Sequence, residues 1–420
     1  MKRILPLFVL AILAITLLVY NASSGIGAPK EPAKKPEAET EQGKIDKAVD
    51  RGLEFLLKTK YTRGAADIEI VVLTLSHAGL TEDNPKFKEM VSIMLQKDEP
   101  QVYTVSLRAM ALESINRVKY QEQIAECAQG LVNYQAKNGQ WGYDAKYYKG
   151  KDIKPVVTAE PPKVIEVITD SASPVPTKKD NKTESKKEEK LKSYAVSRSS
   201  SNRPPSGDNS NAQFALLGLR AAARAGVAIP KEVWEDAAKW WVKDQEKEGG
   251  WAYSYGGTIK GSSYGSMTAA GICGLAICKC YLGEDYKNDP VLLKALEWIG
   301  SVLSFSENPN TKKSTLFQDE TTWLYYYIYG IERIGAIMDM ERLGDKDWYK
   351  MGAEYLLSKQ AKDGSWNSMA DDRYLCGIVP DTCFAILFLR KATPVMKTKP
   401  VSTEGEEKKI ETPSGGSENK

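Results

Sequence analysis

The clearest pattern of apolar and polar positions lies in residues 348–390. In the first half, Trp348, Met351 and Tyr355 recur at helical spacing, which predicts a helix with one buried face. In the second half, residues 384–389 are apolar on every side, and a helix of that kind must be covered all round. The pattern predicts an outer amphipathic helix paired with an inner buried helix. Since one partner cannot cover the inner helix, the pair must be repeated.

The same alternation recurs along the chain and predicts a dozen helices. The outer helices are expected at 44–58, 85–96, 121–136, 231–246, 290–305 and 346–361. The inner helices are expected at 66–78, 102–115, 208–225, 266–282, 319–338 and 381–391. Six such hairpins close into a ring, so we predict an all-α fold, an (α/α)6 toroid.

A short motif, Gln-x3-Gly-x-Trp, follows three of the predicted outer helices. Its members are Gln135, Gly139 and Trp141; Gln245, Gly249 and Trp251; and Gln360, Gly364 and Trp366. These segments resemble the QW repeats of the squalene–hopene cyclase and oxidosqualene cyclase family. That resemblance implies the terpenoid cyclase and protein prenyltransferase toroid, which complement-type thioester domains share, with the Gln joining helix ends and the Trp stacking on the loop. A shared fold does not fix the function.

The residues that carry the chemistry of these families are incomplete. The D-x-D-D motif of the cyclases is missing, and Ala370-Asp371-Asp372 is the nearest string. Asp381-Thr382-Cys383 matches the D-x-C element of prenyltransferases, but the partner histidine has no counterpart, because the single His77 is predicted at the far end of an inner helix. Cys273-Gly274-Leu275 does not supply a thioester sequence. We predict no metal and no cofactor.

The N-terminal residues predict export. Lys2 and Arg3 precede an apolar run at residues 4–20, which is typical of a signal peptide or, if uncleaved, a membrane tether. We therefore expect residues 1–24 to be a signal or anchor, 25–43 a disordered spacer, 44–393 the toroid, and 394–420 a disordered tail. The body would be extracytoplasmic, either periplasmic or secreted. The net charge of +3 gives no support for a nucleic-acid partner.

A low-complexity insertion at 146–206 interrupts the predicted toroid. Its composition predicts disorder, apart from an expected short hairpin at 155–168. The default interpretation is a tolerated surface insertion, and the alternative is a lid or docking arm. Cys376 and Cys383 flank the start of the last inner helix, and a disulfide between them is left open.

The inner helices run parallel, so their N-termini are expected at one rim. Aspartates fall there, and Asp208, Asp319 and Asp381 are the candidate acids and bases; the alternative is that each only caps its helix. Aromatic residues at the same level are candidate ligand contacts, with core packing as the alternative: Tyr103, Phe214, Tyr264, Trp323, Tyr326, Tyr327, Tyr374 and Phe384.

Two functions remain open. The first is a noncatalytic module with a central apolar or aromatic cavity that binds an apolar, isoprenoid or glycan-like ligand, or a protein partner. The second is an enzyme acting on an isoprenoid or a polysaccharide through the rim carboxylates. The missing motifs favour the first.

Overall fold

Apolar and amphipathic helices alternate along the chain as the pattern predicts. The structure, a computed structural model, describes residues 40–61, 67–97, 101–143, 156–158, 191–198, 203–254, 262–313, 319–368 and 377–397. The outer helices are α1 (Glu41–Lys58), α3 (Pro85–Gln96), α5 (Gln121–Tyr134), α7 (Lys231–Asp244), α9 (Pro290–Val302) and α11 (Trp348–Lys359). The inner helices are α2 (Ile68–His77), α4 (Val102–Asn116), α6 (Asn209–Arg224), α8 (Gly265–Leu282), α10 (Leu324–Met338) and α12 (Ile378–Leu389).

The inner helices form a closed ring. Each one packs on the next in chain order, and α12 packs on α2. Where α4 and α6 meet, a Cβ on Gly218 would lie 2.8 Å from the Ser106 Cα, so only glycine permits that approach. The outer helices pack on the outside of this ring, and the predicted all-α (α/α)6 toroid is confirmed.

The largest boundary difference concerns α10. We expected this helix to start at Asp319, but it begins at Leu324. The Asp319 carboxylate accepts bonds from the Thr321 backbone N–H at 2.7 Å and the Thr321 hydroxyl at 2.9 Å, which holds a separate turn. Trp323 then takes the left-handed conformation, with φ 60° and ψ 30°, directly before the helix. Asp319 is therefore not the cap of α10.

The three Gln/Gly/Trp units make equivalent contacts in the outer wall. Each Gln Nε2 donates to its own Gly carbonyl and to a backbone carbonyl of a neighbouring outer helix. The second bonds are Gln135 to Val233 at 2.9 Å, Gln245 to Val291 at 2.8 Å, and Gln360 to Ala48 at 2.7 Å.

The tryptophans of these units anchor the loop to the helix before it. All three indoles are fully buried, and each Nε1 donates to a backbone carbonyl ten residues earlier. The bonds are Trp141 to Leu131 at 2.7 Å, Trp251 to Trp241 at 2.9 Å, and Trp366 to Leu356 at 2.8 Å. Each motif thus joins the end of one outer helix to the loop that follows it and to a neighbouring outer helix.

Part of the 146–206 insertion has defined structure. Strand β1 (Val156–Thr158) pairs antiparallel with β2 (Ser193–Ala195), which pairs in parallel with β3 (Val227–Ala228). The expected partner of β1 within 155–168 is replaced by β2, and residues 159–190 lie outside the described part. A second small hairpin joins β4 (Arg342–Leu343) to β5 (Lys346–Asp347).

Two glutamines of the outer helix α5 bond to the residues on either side of strand β2. Gln121 exchanges two bonds with the Lys192 backbone, and Gln129 exchanges two with the Ser197 backbone. The backbone N–H and carbonyl groups of Lys192 and Ser197 thus find hydrogen-bond partners on α5, which the composition of the insertion does not predict. The chain also stays in contact beyond Thr393, since Met396 is fully buried and its N–H donates to the Ala336 carbonyl at 3.3 Å.

Among the described residues, one helix has the length and apolarity to cross a membrane, and it is α8. Its residues are 83% buried within the protein, and it belongs to the inner ring. The predicted signal at residues 4–20 lies outside the described part.

Candidate functional site

Asp208 lies at the start of α6 and is fully buried. Its Oδ1 accepts from the Asn211 backbone N–H at 2.9 Å, and its Oδ2 accepts from the Asn211 amide at 2.7 Å. Burial raises the pKa of the carboxyl to about 6, against the lowering effect of the Asn211 bonds. Asp208 is thus an N-cap that also holds a proton more tightly than an exposed aspartate.

Asp381 on α12 is also a buried carboxyl with a raised pKa. It is 2% exposed, and its Oδ2 accepts from the backbone N–H and from the hydroxyl of Ser368, both at 2.9 Å. Burial raises its pKa to about 6, while the Ser368 bonds oppose that rise. Because α12 begins at Ile378, Asp381 lies inside the first turn rather than before it.

Asp319 differs from these two. It is partly exposed, and bonds from the Thr321 backbone and side chain lower the pKa of its carboxyl. All three candidate carboxylates accept a backbone N–H, but only Asp208 caps its own inner helix, because the donors to Asp319 and Asp381 are Thr321 and Ser368, which lie outside α10 and α12. Their role as acids or bases stays a prediction.

Five tyrosines gather around Asp208 at the N-terminal ends of the inner helices. Burial is the largest cause that raises the pKa of each phenol, and the charge of Asp208 is a smaller cause common to all five. We call this group the mouth cluster: Tyr103, Tyr143, Tyr253, Tyr264 and Tyr326 around Asp208. The ring centroids of Tyr103 and Tyr143 lie 6.2 Å apart, and Tyr143 is 47% exposed.

The sequence analysis missed Tyr143 and Tyr253. Each stands two residues after a motif tryptophan, Trp141 or Trp251. In the third unit the equivalent position is Ser368, which binds Asp381. The position two after the motif Trp thus reaches the start of an inner helix, and the repeated Trp-x-Tyr was the signal that could have identified both tyrosines.

Tyr103 and Tyr326 of the mouth cluster also pack with Phe214 and Phe384, so aromatic rings from four inner helices contact one another. Ring centroids lie 4.7 Å apart for Tyr103 and Phe214, 6.1 Å for Phe214 and Tyr326, and 5.8 Å for Tyr326 and Phe384. The predicted ligand-contacting rings Tyr103, Phe214, Tyr326 and Phe384 therefore pack on each other.

An arginine lies within this aromatic packing. Arg333 is 1% exposed, and its Cζ lies 4.6 Å from the ring centroid of Tyr329 and 5.6 Å from that of Phe214. Its Nη1 and Nη2 donate to the Gln213 amide oxygen at 3.0 and 2.8 Å, because a guanidinium can only donate. The Gln213 nitrogen then donates to Tyr326 Oη at 2.8 Å.

The hydrogen-bond chain continues to the mouth. Tyr326 Oη lies 3.3 Å from Ser210 Oγ, and Ser210 in turn bonds the hydroxyl of Tyr103. Polar groups therefore run from the buried Arg333 up to Tyr103. The axis is aromatic but not apolar.

The remaining predicted aromatics separate. Trp323 is half-buried beside Tyr326, with ring centroids 6.2 Å apart. Tyr264, next to the start of α8, is buried within the mouth cluster. Tyr327 is buried next to Gly265, away from the rings that Tyr326 contacts, because one residue along a helix turns the side chain by about 100°. Tyr374 lies outside the described residues.

Neither a metal site nor a disulfide involves the described cysteines. The part of the chain that the structure describes has no group of three His, Cys, Asp or Glu side chains able to hold a metal ion. Cys383 is a buried free thiol, and its proposed partner Cys376 lies outside the described residues.

No family model matches the chain, and no curated protein matches it by sequence. Similar solved structures are those of the type II terpene cyclase MstE from Scytonema. A variant bound to its substrate, geranylgeranyl dihydroxybenzoate, aligns with TM-score 0.47 and 11% identity over 84% of this chain and 98% of that one. A variant bound to its product, merosterolic acid A, gives TM-score 0.48 and 10% identity over the same shares.

Proposed function

We propose that this protein is a noncatalytic binding module that takes a hydroxylated, ring-containing ligand, such as a glycan, at the mouth cluster. The observation that carries the proposal is the mouth cluster itself: the Tyr103 and Tyr143 ring centroids lie 6.2 Å apart, the Asp208 N–H donates to the Trp141 carbonyl at 2.8 Å, and Tyr143 is 47% exposed. Tyrosines combine an apolar face with a hydrogen-bonding tip, so such a cluster offers rings for stacking and hydroxyls for polar groups.

The chemistry of the axis favours a polar ligand over a long isoprenoid. An isoprenoid needs an apolar tunnel, because each unpaired polar group that it covers loses its water. Here the side chains bonded to the mouth cluster are polar, since Arg333 donates to Gln213, which donates to the Tyr326 hydroxyl. A ligand at the mouth would meet Tyr143 and Tyr253, the two tyrosines of the cluster that are not buried, and phenol hydroxyls suit sugar hydroxyls.

Trp323 supports the same location. It holds a left-handed backbone conformation that is strained for a tryptophan, and it stands half-buried beside Tyr326. Strain of this kind persists where the surroundings enforce it, and it is concentrated at functional sites. A second ring would thus be available near the mouth.

The second candidate is an enzyme that uses the rim carboxyls. It is favoured by one observation, the pKa values of about 6 that burial gives Asp208 and Asp381. A carboxyl with such a pKa holds its proton under mildly acidic conditions and is able to donate it. Its substrate would be an isoprenoid or a polysaccharide.

We also propose that the Gln/Gly/Trp units are QW repeats and that the protein is extracytoplasmic. The shared contacts of Gln135, Gln245 and Gln360 support the first. Lys2, Arg3 and the apolar run at 4–20 support the second, with a membrane tether if the run is retained. A protein partner at the mouth is the remaining alternative to a small ligand.

The test is titration calorimetry of the full chain with cello-, chito- and malto-oligosaccharides, and with farnesol as the apolar probe. We expect binding of at least one oligosaccharide series, no binding of farnesol, and loss of binding in Tyr143→Ala and Trp323→Ala. Tyr355→Ala is the matched control, since Tyr355 is a partly buried ring on the outer helix α11. Tyr355→Ala should bind as the unmodified chain does.

Turnover separates the two candidates. Oligosaccharide binding without new products supports the noncatalytic module. Products that disappear in Asp208→Asn, with the melting temperature retained, would instead support the enzyme. Binding of farnesol alone, or no binding by any probe, would overturn the proposed ligand class.

A further inference from the structure

One asparagine in the loop after α9 joins the start of α8 to the turn before α10. Asn308 is fully buried, and its Oδ1 accepts the Ser266 backbone N–H at 2.9 Å. Its Nδ2 donates to the Thr322 carbonyl at 3.1 Å and to the Ser266 hydroxyl at 3.1 Å. Since a backbone N–H only donates and a carbonyl only accepts, these partners fix which end of the amide faces which group.

The backbone of Asn308 is held on the same turn. Its N–H donates to the Glu320 carbonyl at 2.7 Å, and its carbonyl accepts the Thr311 hydroxyl at 2.9 Å. That hydroxyl also lies 3.1 Å from the Asp319 carbonyl. The two chain segments thus form one bonded unit, and the Asn308 side chain joins that unit to α8.

Trp323 follows directly on this unit. It has φ 60° and ψ 30°, a left-handed conformation that a tryptophan keeps when its surroundings enforce it. The Thr322 carbonyl belongs to the planar peptide bond before Trp323, so the bond from Asn308 fixes the plane about which the Trp323 φ is set. The indole is half-buried, and its centroid lies 6.2 Å from that of the mouth-cluster ring Tyr326.

We propose that Asn308 is a positioning residue, which holds Trp323 in its left-handed conformation so that the indole is in place before a ring-containing ligand binds at the mouth. This inference rests on the proposed function, since it makes Trp323 a ligand contact. A ring held in place does not have to be ordered by the ligand, which raises the affinity. Without the Asn308 amide, Trp323 leaves the left-handed region more readily, because that region is unfavourable for a residue with a Cβ.

Asn308→Asp separates the two roles of the amide. One carboxylate oxygen can still accept the Ser266 N–H, but the other cannot donate to the Thr322 carbonyl and repels it. Asn308→Ala removes the amide without adding a charge, and it replaces Asn308→Asp if the buried carboxylate prevents folding. Ser266→Ala is the matched control, since it removes the other acceptor of Nδ2 and leaves the Thr322 bond in place.

The first readout needs no ligand. The chain has nine tryptophans, and fluorotryptophan labelling gives each indole a fluorine NMR resonance, with that of Trp323 identified by its absence in Trp323→Phe. We expect the Asn308 variants to shift or broaden the Trp323 resonance, while those of the fully buried Trp141 and Trp366 stay unchanged. Ser266→Ala should leave all of these resonances unchanged. A Trp323 resonance that is the same in the Asn308 variants as in the unmodified chain overturns the proposal.

The second readout is calorimetric titration of the full chain with cello-, chito- and malto-oligosaccharides. For a series that binds the unmodified chain, we expect the dissociation constant to rise by about tenfold in the Asn308 variants and to stay the same in Ser266→Ala. An unchanged dissociation constant in a variant whose Trp323 resonance has shifted overturns the role of Asn308 in binding but leaves the proposed function. If no oligosaccharide binds the unmodified chain, the proposed function fails, whereas the fluorine spectrum still decides whether Asn308 holds Trp323.

Discussion

Gln360 and Ala48 close the outer wall of the toroid. The Gln360 Nε2 donates to the Ala48 carbonyl at 2.7 Å, across 312 positions of sequence. The Gln360 Oε1 accepts in turn from the Arg51 guanidinium. The last outer helix is thereby joined to the first, just as Gln135 and Gln245 join earlier neighbours.

Gln360→Ala should therefore weaken the closure. It leaves the Ala48 carbonyl and the Gly364 carbonyl without that donor, and we expect a loss of about 1–3 kcal/mol in the free energy of unfolding. Urea unfolding measures the loss, and hydrogen exchange should accelerate in α1 and α11 before other helices. Lys362→Ala, an exposed neighbour, should change stability by less than about 0.5 kcal/mol. Equal effects of the two variants would refute this role.

Gly364 tests how closely the wall is packed. It has φ +92°, and a Cβ there would lie 2.3 Å from the Arg51 carbonyl oxygen. Gly283 is the matched control, since it has φ +75° with nothing within 4 Å of a Cβ. Gly283→Ala should cost only the backbone strain, about 1–2 kcal/mol, whereas Gly364→Ala should cost clearly more because α1 must move. Similar losses in thermal or urea unfolding would argue against the close approach.

Asp208 should make stability depend on pH in a defined direction. Its carboxyl has an ordinary pKa of 3.8 and a folded pKa of about 6, so the folded chain binds the extra proton. Its contribution is favourable at low pH and is lost as pH rises from about 4 to about 6. Relative to Asp208→Asn, the unmodified chain should lose on the order of 2 kcal/mol between about pH 4 and pH 7.

The asparagine variant is a fair comparison because Asn211 can adapt to it. The Asn211 Oδ1 is buried without a partner, so a turned Asn211 amide could accept from the new side chain. Asp363→Asn is the control of opposite sign, since bonds from Ser365 lower the pKa of the exposed Asp363. A pH series of urea unfolding curves that shows no drift for Asp208→Asn against the unmodified chain would contradict the assignment.

Thr393→Val should loosen the segment that follows α12. The change removes the hydroxyl that donates to Glu332 at 2.6 Å and leaves a buried carboxylate short of one partner. We expect a loss of about 1–3 kcal/mol at pH 8 and faster tryptic cleavage after Lys391 or Lys397. Thr393→Ser keeps the hydroxyl and should cleave at the rate of the unmodified chain, and matching rates for Val and Ser would remove the role of the bond.

The sequence by itself determined the alternation of helices and hence the ring. Periodicity gave every helix to within a few residues except the start of α10, because burial on one face or on all faces leaves a direct trace in residue type. The Gln/Gly/Trp units were also visible, since their side-chain chemistry repeats with the contacts that need it.

Only the tertiary structure decided which aromatic rings contact one another. Whether Tyr103, Phe214 and Phe384 line a space or close it depends on distances across the ring, which no local pattern encodes. The contact between α5 and the residues beside β2 likewise depends on Gln121 and Gln129, which lie far from β2 in sequence. Residue types record how much each position is buried, but not which distant side chain buries it.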